Sequence, residues 1–122
     1  WMEHPGSPIV SGNGRDARLA GNFLDAGDRL IRFSQDSQEY GEKYGKAVRG
    51  FEIVTLTREE YRERPLQNNP LLEGSKAGWN SEGMHQISAW PLNGKRWIAA
   101  VDGKRRSDQY TFCLANSIFR FP

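Results

Sequence analysis

Residues Arg18–Tyr44, RLAGNFLDAGDRLIRFSQDSQEYGEKY, hold two short apolar runs joined by a turn, and the second run closes on the polar pair Gln35-Asp36. Leu19 to Leu24 reads as one strand and Arg29 to Ser34 as the next, with Asp25-Ala26-Gly27-Asp28 as the turn between them. Gly27 suits the positive φ that such a turn requires. In the second strand Ile31 and Phe33 alternate with Leu30, Arg32 and Ser34, and this period of two predicts a strand buried on its Ile31/Phe33 face only.

The same plan returns at Gly83–Lys104, GMHQISAWPLNGKRWIAAVDGK, where His85 enters the first strand and Asp102-Gly103 is expected to close the second as a turn. Asn93-Gly94 between two alternating runs is the strongest hairpin signal in the chain. Trp97-Ile98-Ala99-Ala100-Val101 is apolar throughout, which predicts burial on both faces. A β-scaffold presents polar side chains at its strand ends, so the doubled plan points to where a ligand would be met.

Outward from these hairpins the pattern stays β. The opening, WMEHPGSPIVSGNG, is broken by Pro5, Pro8 and several glycines and reads as an extended lead-in. Ala47 to Leu56 alternates as a third strand. Thr57 and Glu60 have the spacing of a helix-capping box, yet Pro65 limits any helix to about two turns, and a fourth strand from Tyr61 to Leu66 is the open alternative. Asn68 to Asn80 reads as loop, and Tyr110–Phe112 and Ser117–Phe121 as two last short strands. The total is about eight strands, three or four in a first group and two to four in a second.

Composition agrees with that reading. The 122 residues include 13 Gly, 6 Pro and 14 aromatics, which favours a turn-rich β-protein over a helical bundle. A mean hydropathy of −0.74 implies a small or shared interior. Net charge is +2 with Lys and Arg scattered among acids, so no phosphate-tracking surface is implied and nucleic acid is not expected as a partner. The one dense basic cluster, Lys104-Arg105-Arg106, reads as a solvated strand end. A lone Cys113 excludes an intrachain disulfide and a multi-cysteine zinc site, and leaves the compartment undetermined. The longest apolar run, about five residues, is far short of the roughly twenty that span a bilayer. No secretory leader is expected at the start, and a chain opening on Trp rather than Met reads as a piece of something longer.

The candidate chemistry is polar and sparse. His85, near Trp79, Asn80 and Glu82, either meets a ligand or is satisfied by backbone. His4, in a Pro-Gly turn, reads as structural. Asp36 and Asp102 would serve as acid and base only if they faced one site roughly 5 to 9 Å apart, and otherwise act as turn residues. Arg18 is suited to a bidentate contact with a carboxylate or sugar hydroxyls, or to an ion pair within the sheet. Trp79, Trp90 and Trp97 offer faces for a pyranose, with Trp97 better placed for the core. Phosphate-binding loops, nucleophile elbows and zinc-protease motifs are absent from the sequence. No cofactor and no metal site is expected.

The ordered segments EHPGSP, ARLAGNF, DRLIRFSQDSQEYGEKYG, FEIVTLTREEY, GMHQISAW and RWIAAVDG resemble the closing part of five-bladed β-propellers of the glycoside hydrolase family 43 and β-fructosidase type. Within that group they are most similar to the propeller domain of the glucosamine inositolphosphorylceramide transferase family. The resemblance implies an all-β antiparallel meander of about one and a half to two propeller-type blades, with blade-like units over 17–66 and 83–121. It further implies that Arg18, Gln35, Asp36 and His85 line a central pocket; Trp79, with its face for a pyranose, is the further candidate carbohydrate contact read from the residues themselves. Met84 between Gly83 and His85 departs from the family's Gly-His segment and speaks against an ion there. A whole five-bladed propeller takes roughly 250 to 300 residues, and the hydrolases' catalytic carboxylates come from earlier blades. The expectation is a glycan-binding, catalytically incomplete module that associates with itself or with missing blades. The alternative is a small self-assembling β-rich binding module, and an autonomous enzyme using Asp36 and Asp102 comes third.

Overall fold

A computed structural model describes residues 1–37, 44–93, 96–105 and 109–115, with residues 93 and 109–115 by backbone alone. The described residues form two antiparallel sheets. In the first, β1 (Leu24–Asp25), β2 (Leu30–Asp36), β3 (Ala47–Leu56) and β4 (Tyr61–Pro65) lie side by side in chain order, and the short β5 (Leu72–Glu73) pairs with β3 beyond the end of β4. In the second, β6 (Ile87–Asn93), β7 (Arg96–Arg105) and β8 (Gln109–Ala115) form a three-stranded meander. Among the described residues a 3₁₀ turn at Gly78–Asn80 is the one helical piece. The protein is therefore all-β, an antiparallel meander consistent with partial propeller-type blades.

The local chemistry of the first turn is the expected one. Gly27 sits at φ 84°, its N–H donates to Asp25 Oδ1 at 2.8 Å, and Ala26 N donates to Arg29 O at 2.8 Å. β3 occupies the span its alternation predicts. Between helix and strand after Thr57, the strand prevails. Thr57 Oγ1 accepts from Glu59 N and Glu60 N, and Thr57 N donates to Glu60 O at 2.9 Å. Hydroxyl-to-backbone bonds that would start a helix instead close a tight turn, because Tyr61–Pro65 finds β3 to pair with.

Five expectations need correction. The strand over Leu19–Leu24 is interrupted: Leu19 bridges Ser34, the chain bends at Gly21, and pairing resumes at Leu24 opposite Ile31. β2 is not half-buried, since every residue from Ile31 to Asp36 is enclosed. Its second face is covered by the segment Asn13–Ala17, with Arg32 Nη1 donating to Asp16 O at 2.9 Å and Ser37 N to Gly14 O at 3.1 Å. β7 alternates rather than being buried throughout: Trp97, Ala99 and Val101 are buried, Ile98 and Ala100 half-buried. Asp102-Gly103 makes no turn, because β7 runs on to Arg105 and pairs Asp102 with Phe112 and Gly103 with Thr111. The expected loop at Asn68–Asn80 also contains β5 and the 3₁₀ turn. Gly94 of the hairpin turn, Arg106 of the basic cluster and the strand at Ser117–Phe121 lie outside the described residues.

The core lies between the sheets. Ile31, Phe33 and Val48 from the first meet Ile87, Ala89, Trp97, Ala99 and Val101 from the second, with Ala20, Leu24 and Met84 between them. Large apolar side chains of this kind contribute about 1.5–3 kcal/mol each on burial. Backbone bonds also stitch the sheets: Ile87 N donates to Ala20 O at 2.7 Å. The bend at Gly21 permits this approach.

The covered face of the first sheet is polar. Arg32 is 1% exposed and forms a bidentate pair with Glu63, both contacts at 2.6 Å, while its guanidinium lies 4.7 Å from the Phe51 ring centre. Tyr61 donates its hydroxyl to the same carboxylate at 2.6 Å. Burial works against the charge on Arg32, yet Glu63 more than offsets it and holds the guanidinium pKa above its ordinary value.

Candidate functional site

Three chain segments converge where the two sheets meet: the end of β2, the approach to β3, and the approach to β6. Lys46 N donates to Asp36 O at 3.1 Å, and Met84 N donates to Lys46 O at 3.4 Å, so the segments share one backbone ladder. Gly45, at φ 73°, lies between them. A Cβ there would stand 2.8 Å from His85 Cβ, so glycine is what lets the histidine come this close.

His85 is fixed from several sides. Gln35, fully buried, donates from Nε2 to His85 O at 3.1 Å and accepts at Oε1 from Ser37 Oγ at 3.1 Å. Asp102, 1% exposed, accepts at Oδ1 from His85 N at 3.1 Å and from Gln86 N at 2.8 Å, and its Oδ2 faces His85 Nδ1. A buried carboxylate must be met by donors, and the start of the β6 segment supplies them. The Tyr44 and His85 rings meet edge to face with centres 5.4 Å apart. Arg18 lays its guanidinium over Tyr44 at 4.9 Å from the ring centre, and its backbone carbonyl accepts from Gln35 N at 2.8 Å.

Of the residues singled out in the sequence, Arg18, Gln35 and His85 come together. Asp36 neighbours Gln35 on β2, but adjacent strand residues face opposite ways. Its buried carboxylate turns to Arg15, whose Nε is 3.6 Å away. Trp79 lies on Gly103 and packs against the core. Trp97 is a core residue and Trp90 is exposed. His4 is structural: Gly6 N donates to its Nδ1 at 3.0 Å, and its Nε2 bonds Thr57 O at 3.1 Å. Among the described residues, no group of three or more His, Cys, Asp or Glu gathers as a metal would need, and no helix is long and apolar enough to cross a membrane.

Tyr44 escaped the sequence reading, and Asp102 was singled out there as a turn residue or an acid–base partner of Asp36, not as a partner of His85. Asp102 was legible in one respect. Counting back along the hairpin register from Ile87↔Val101 brings residues 85–86 opposite 102–103. Tyr44 carries no such signal, because it meets His85 across two sheets.

Residues 1–104 match the protein family described as Glucosamine inositolphosphorylceramide transferase 1, N-terminal. The chain belongs to this family. Glucosamine inositolphosphorylceramide transferase 1 of Oryza sativa subsp. indica is 36% identical over 109 residues, covering 86% of this chain and 14% of the relative. Its counterpart in Arabidopsis thaliana is 35% identical over 109 residues, with the same coverage of 86% and 14%. The chain thus spans 14% of the length of these curated relatives. No solved structure gives a significant match. The family ties the chain to carbohydrate-related proteins, and its matched region includes Arg18, Gln35, Tyr44, His85 and Asp102.

Proposed function

We propose that the chain is a glycan-binding module of β-propeller type, related in architecture to the family 43 glycoside hydrolases and catalytically incomplete by itself. Its blade-like units are 17–66 and 83–121. The observation that carries this reading is the convergence of Arg18, Gln35 and His85 at the junction of two meander sheets. Arg18 supplies hydrogen-bond donors for sugar hydroxyls, His85 a second polar contact, and Gln35 holds His85 from behind. Asp36, through its pair with Arg15, and Trp79 are proposed as outer contacts for a longer glycan. The relatives' name, which speaks of glucosamine and of inositolphosphorylceramide, favours a carbohydrate ligand.

Assembly belongs to the same reading. Leu19 and Phe23 are exposed ahead of β1, Trp90 and Leu92 on β6, and Val54 and Leu56 on β3. Exposed apolar side chains in such number suit further blades or a second copy. These same residues also favour the second reading, a small self-assembling β-module that binds no glycan.

Printed glycan arrays followed by calorimetry test the proposal. Binding by the wild-type chain, lost in Arg18→Ala and in His85→Ala with melting temperature retained in Arg18→Ala, supports it. Self-association in light scattering without glycan binding favours the second reading. Hydrolysis of an aryl glycoside that is abolished by Asp36→Asn would overturn the view that the chain is catalytically incomplete.

A further inference from the structure

Arg18 and Tyr44 are both exposed, Tyr44 to 42%, yet their planar groups are stacked, with the guanidinium 4.9 Å from the centre of the ring. The glycan-binding reading uses Arg18 and gives Tyr44 no part. We propose that Tyr44 is the positioning residue of the site: it fixes the Arg18 guanidinium by stacking, so that the N–H groups at the rim of that plane stay available to sugar oxygens.

A long, flexible arginine binds better when it is held beforehand, because ordering it on contact opposes association. An ion pair would hold it and consume its donors at once. Arg32 is the internal contrast. Its guanidinium lies 4.7 Å from the Phe51 ring centre, but its Nε and Nη2 donate to Glu63 and its Nη1 to Asp16 O. Arg18 has the same kind of ring contact without the acid. Among the described residues neither its guanidinium nor the Tyr44 hydroxyl has a hydrogen-bond or ion-pair partner. The five N–H groups of a guanidinium lie in its plane, and stacking on an aromatic face uses none of them. Both members of the stack are anchored. The Arg18 carbonyl accepts from Gln35 N at 2.8 Å, and the next residue, Leu19, bridges Ser34. The Tyr44 ring meets the His85 ring edge to face, with 5.4 Å between centres and 73° between planes. The His85 carbonyl accepts from Gln35 Nε2 at 3.1 Å. One buried residue, Gln35, therefore holds Arg18 through its backbone and His85 through its side chain, and Tyr44 lies between the two groups so held.

The stack stands independently of the glycan-binding reading, and its use in binding rests on that reading. Nuclear Overhauser contacts between the Arg18 side chain and the Tyr44 ring, with the Arg18 protons moved upfield by the ring current, are expected in the wild-type chain and in Tyr44→Phe, and are lost in Tyr44→Leu. Their absence from the wild-type spectrum overturns the proposal and requires no variant to fold. For a glycan that the wild-type chain binds on a printed array, calorimetry is expected to find Tyr44→Phe as tight as wild type. Tyr44→Leu, with its melting temperature retained, is expected to bind about threefold to fivefold more weakly, the loss of one exposed cation–ring contact. Equal losses in the two variants assign the effect to the Tyr44 hydroxyl as a direct ligand contact and overturn the positioning role, as does undiminished binding by Tyr44→Leu. A wild-type chain that binds no glycan overturns the glycan-binding reading and the use of the stack in binding, and leaves the Overhauser contacts to decide whether Tyr44 holds Arg18.

Discussion

Asn69 pairs with Gly50 as a neighbouring strand would: its Oδ1 accepts from Gly50 N at 2.7 Å, and its Nδ2 donates to Gly50 O at 2.8 Å. β4 ends with Pro65 opposite Phe51 and β5 pairs Leu72 with Val48, so the amide fills the gap between two short partners of β3. Asn22 does the same for the edge of β6, accepting from Ala89 N and donating to Ala89 O, both at 3.1 Å.

Asn69→Ala leaves the buried Gly50 N–H without this partner, whereas Gly50 O keeps the bond from Leu66 N at 2.9 Å. The expected loss is about 1–3 kcal/mol, read as a lower urea midpoint at unchanged slope. Stability within about 0.5 kcal/mol of wild type would show that water replaces the amide there.

Gly21→Ala separates the sheets. Gly21 has φ 150°, and a Cβ on it would run into the Ile87 carbonyl, whose own N–H holds Ala20 O. Backbone cannot yield as a flexible side-chain tip can, so the expected cost is about 3 kcal/mol or more. Gly27→Ala, at φ 84° with open space around it, is the control and is expected to cost about 1 kcal/mol. Thermal melts of the pair distinguish backbone collision from a positive φ alone.

Breaking the Arg32–Glu63 pair strands a guanidinium that is 1% exposed. Glu63→Leu is expected to cost about 3–5 kcal/mol, and Arg32→Met with Glu63→Leu to recover much of it, since apolar pairs of similar volume replace buried ion pairs well. A double-mutant cycle by chemical denaturation measures the coupling. Additive single effects would show that the pair contributes nothing beyond packing.

Tyr61 is expected to resist ionisation. Burial first, and then the hydrogen bond to Glu63 and the charge of that carboxylate, raise its phenol above the ordinary value of about 10. The folded state therefore keeps a proton that the unfolded chain loses. The linked stability is fully present below about pH 10 and falls as pH rises beyond it. Absorbance titration should show one tyrosine ionising late, and Tyr61→Phe should remove that step. A wild-type titration in which every tyrosine ionises near pH 10 would contradict the enclosure of Tyr61 by Glu63.

Much of the fold was legible along the chain. β3 follows its alternation, the Asp25–Asp28 turn follows from Gly27, and the meander follows from strands separated by short turns. Errors arose where a remote segment changed the environment of a strand. β2 looked half-buried until Asn13–Ala17 covered its second face, and Asp102 looked like a turn until β8 paired alongside it. In the site, Arg18, Gln35 and His85 were visible as polar residues near strand ends. Tyr44 was not, since nothing local marks a tyrosine that meets a histidine of the other sheet.

The amino-acid sequence alone determined the β class, the Asp25–Asp28 turn and the family, because period-two alternation and turn chemistry act between near neighbours. Tertiary structure alone decided that Gln35 holds the backbone of His85, that Asp36 turns away to Arg15, and that Asp102 faces an imidazole. The physical reason is burial. A polar side chain removed from water must find partners wherever the packed sheets bring them, and those partners lie up to fifty residues away, as Gln35 and His85 do.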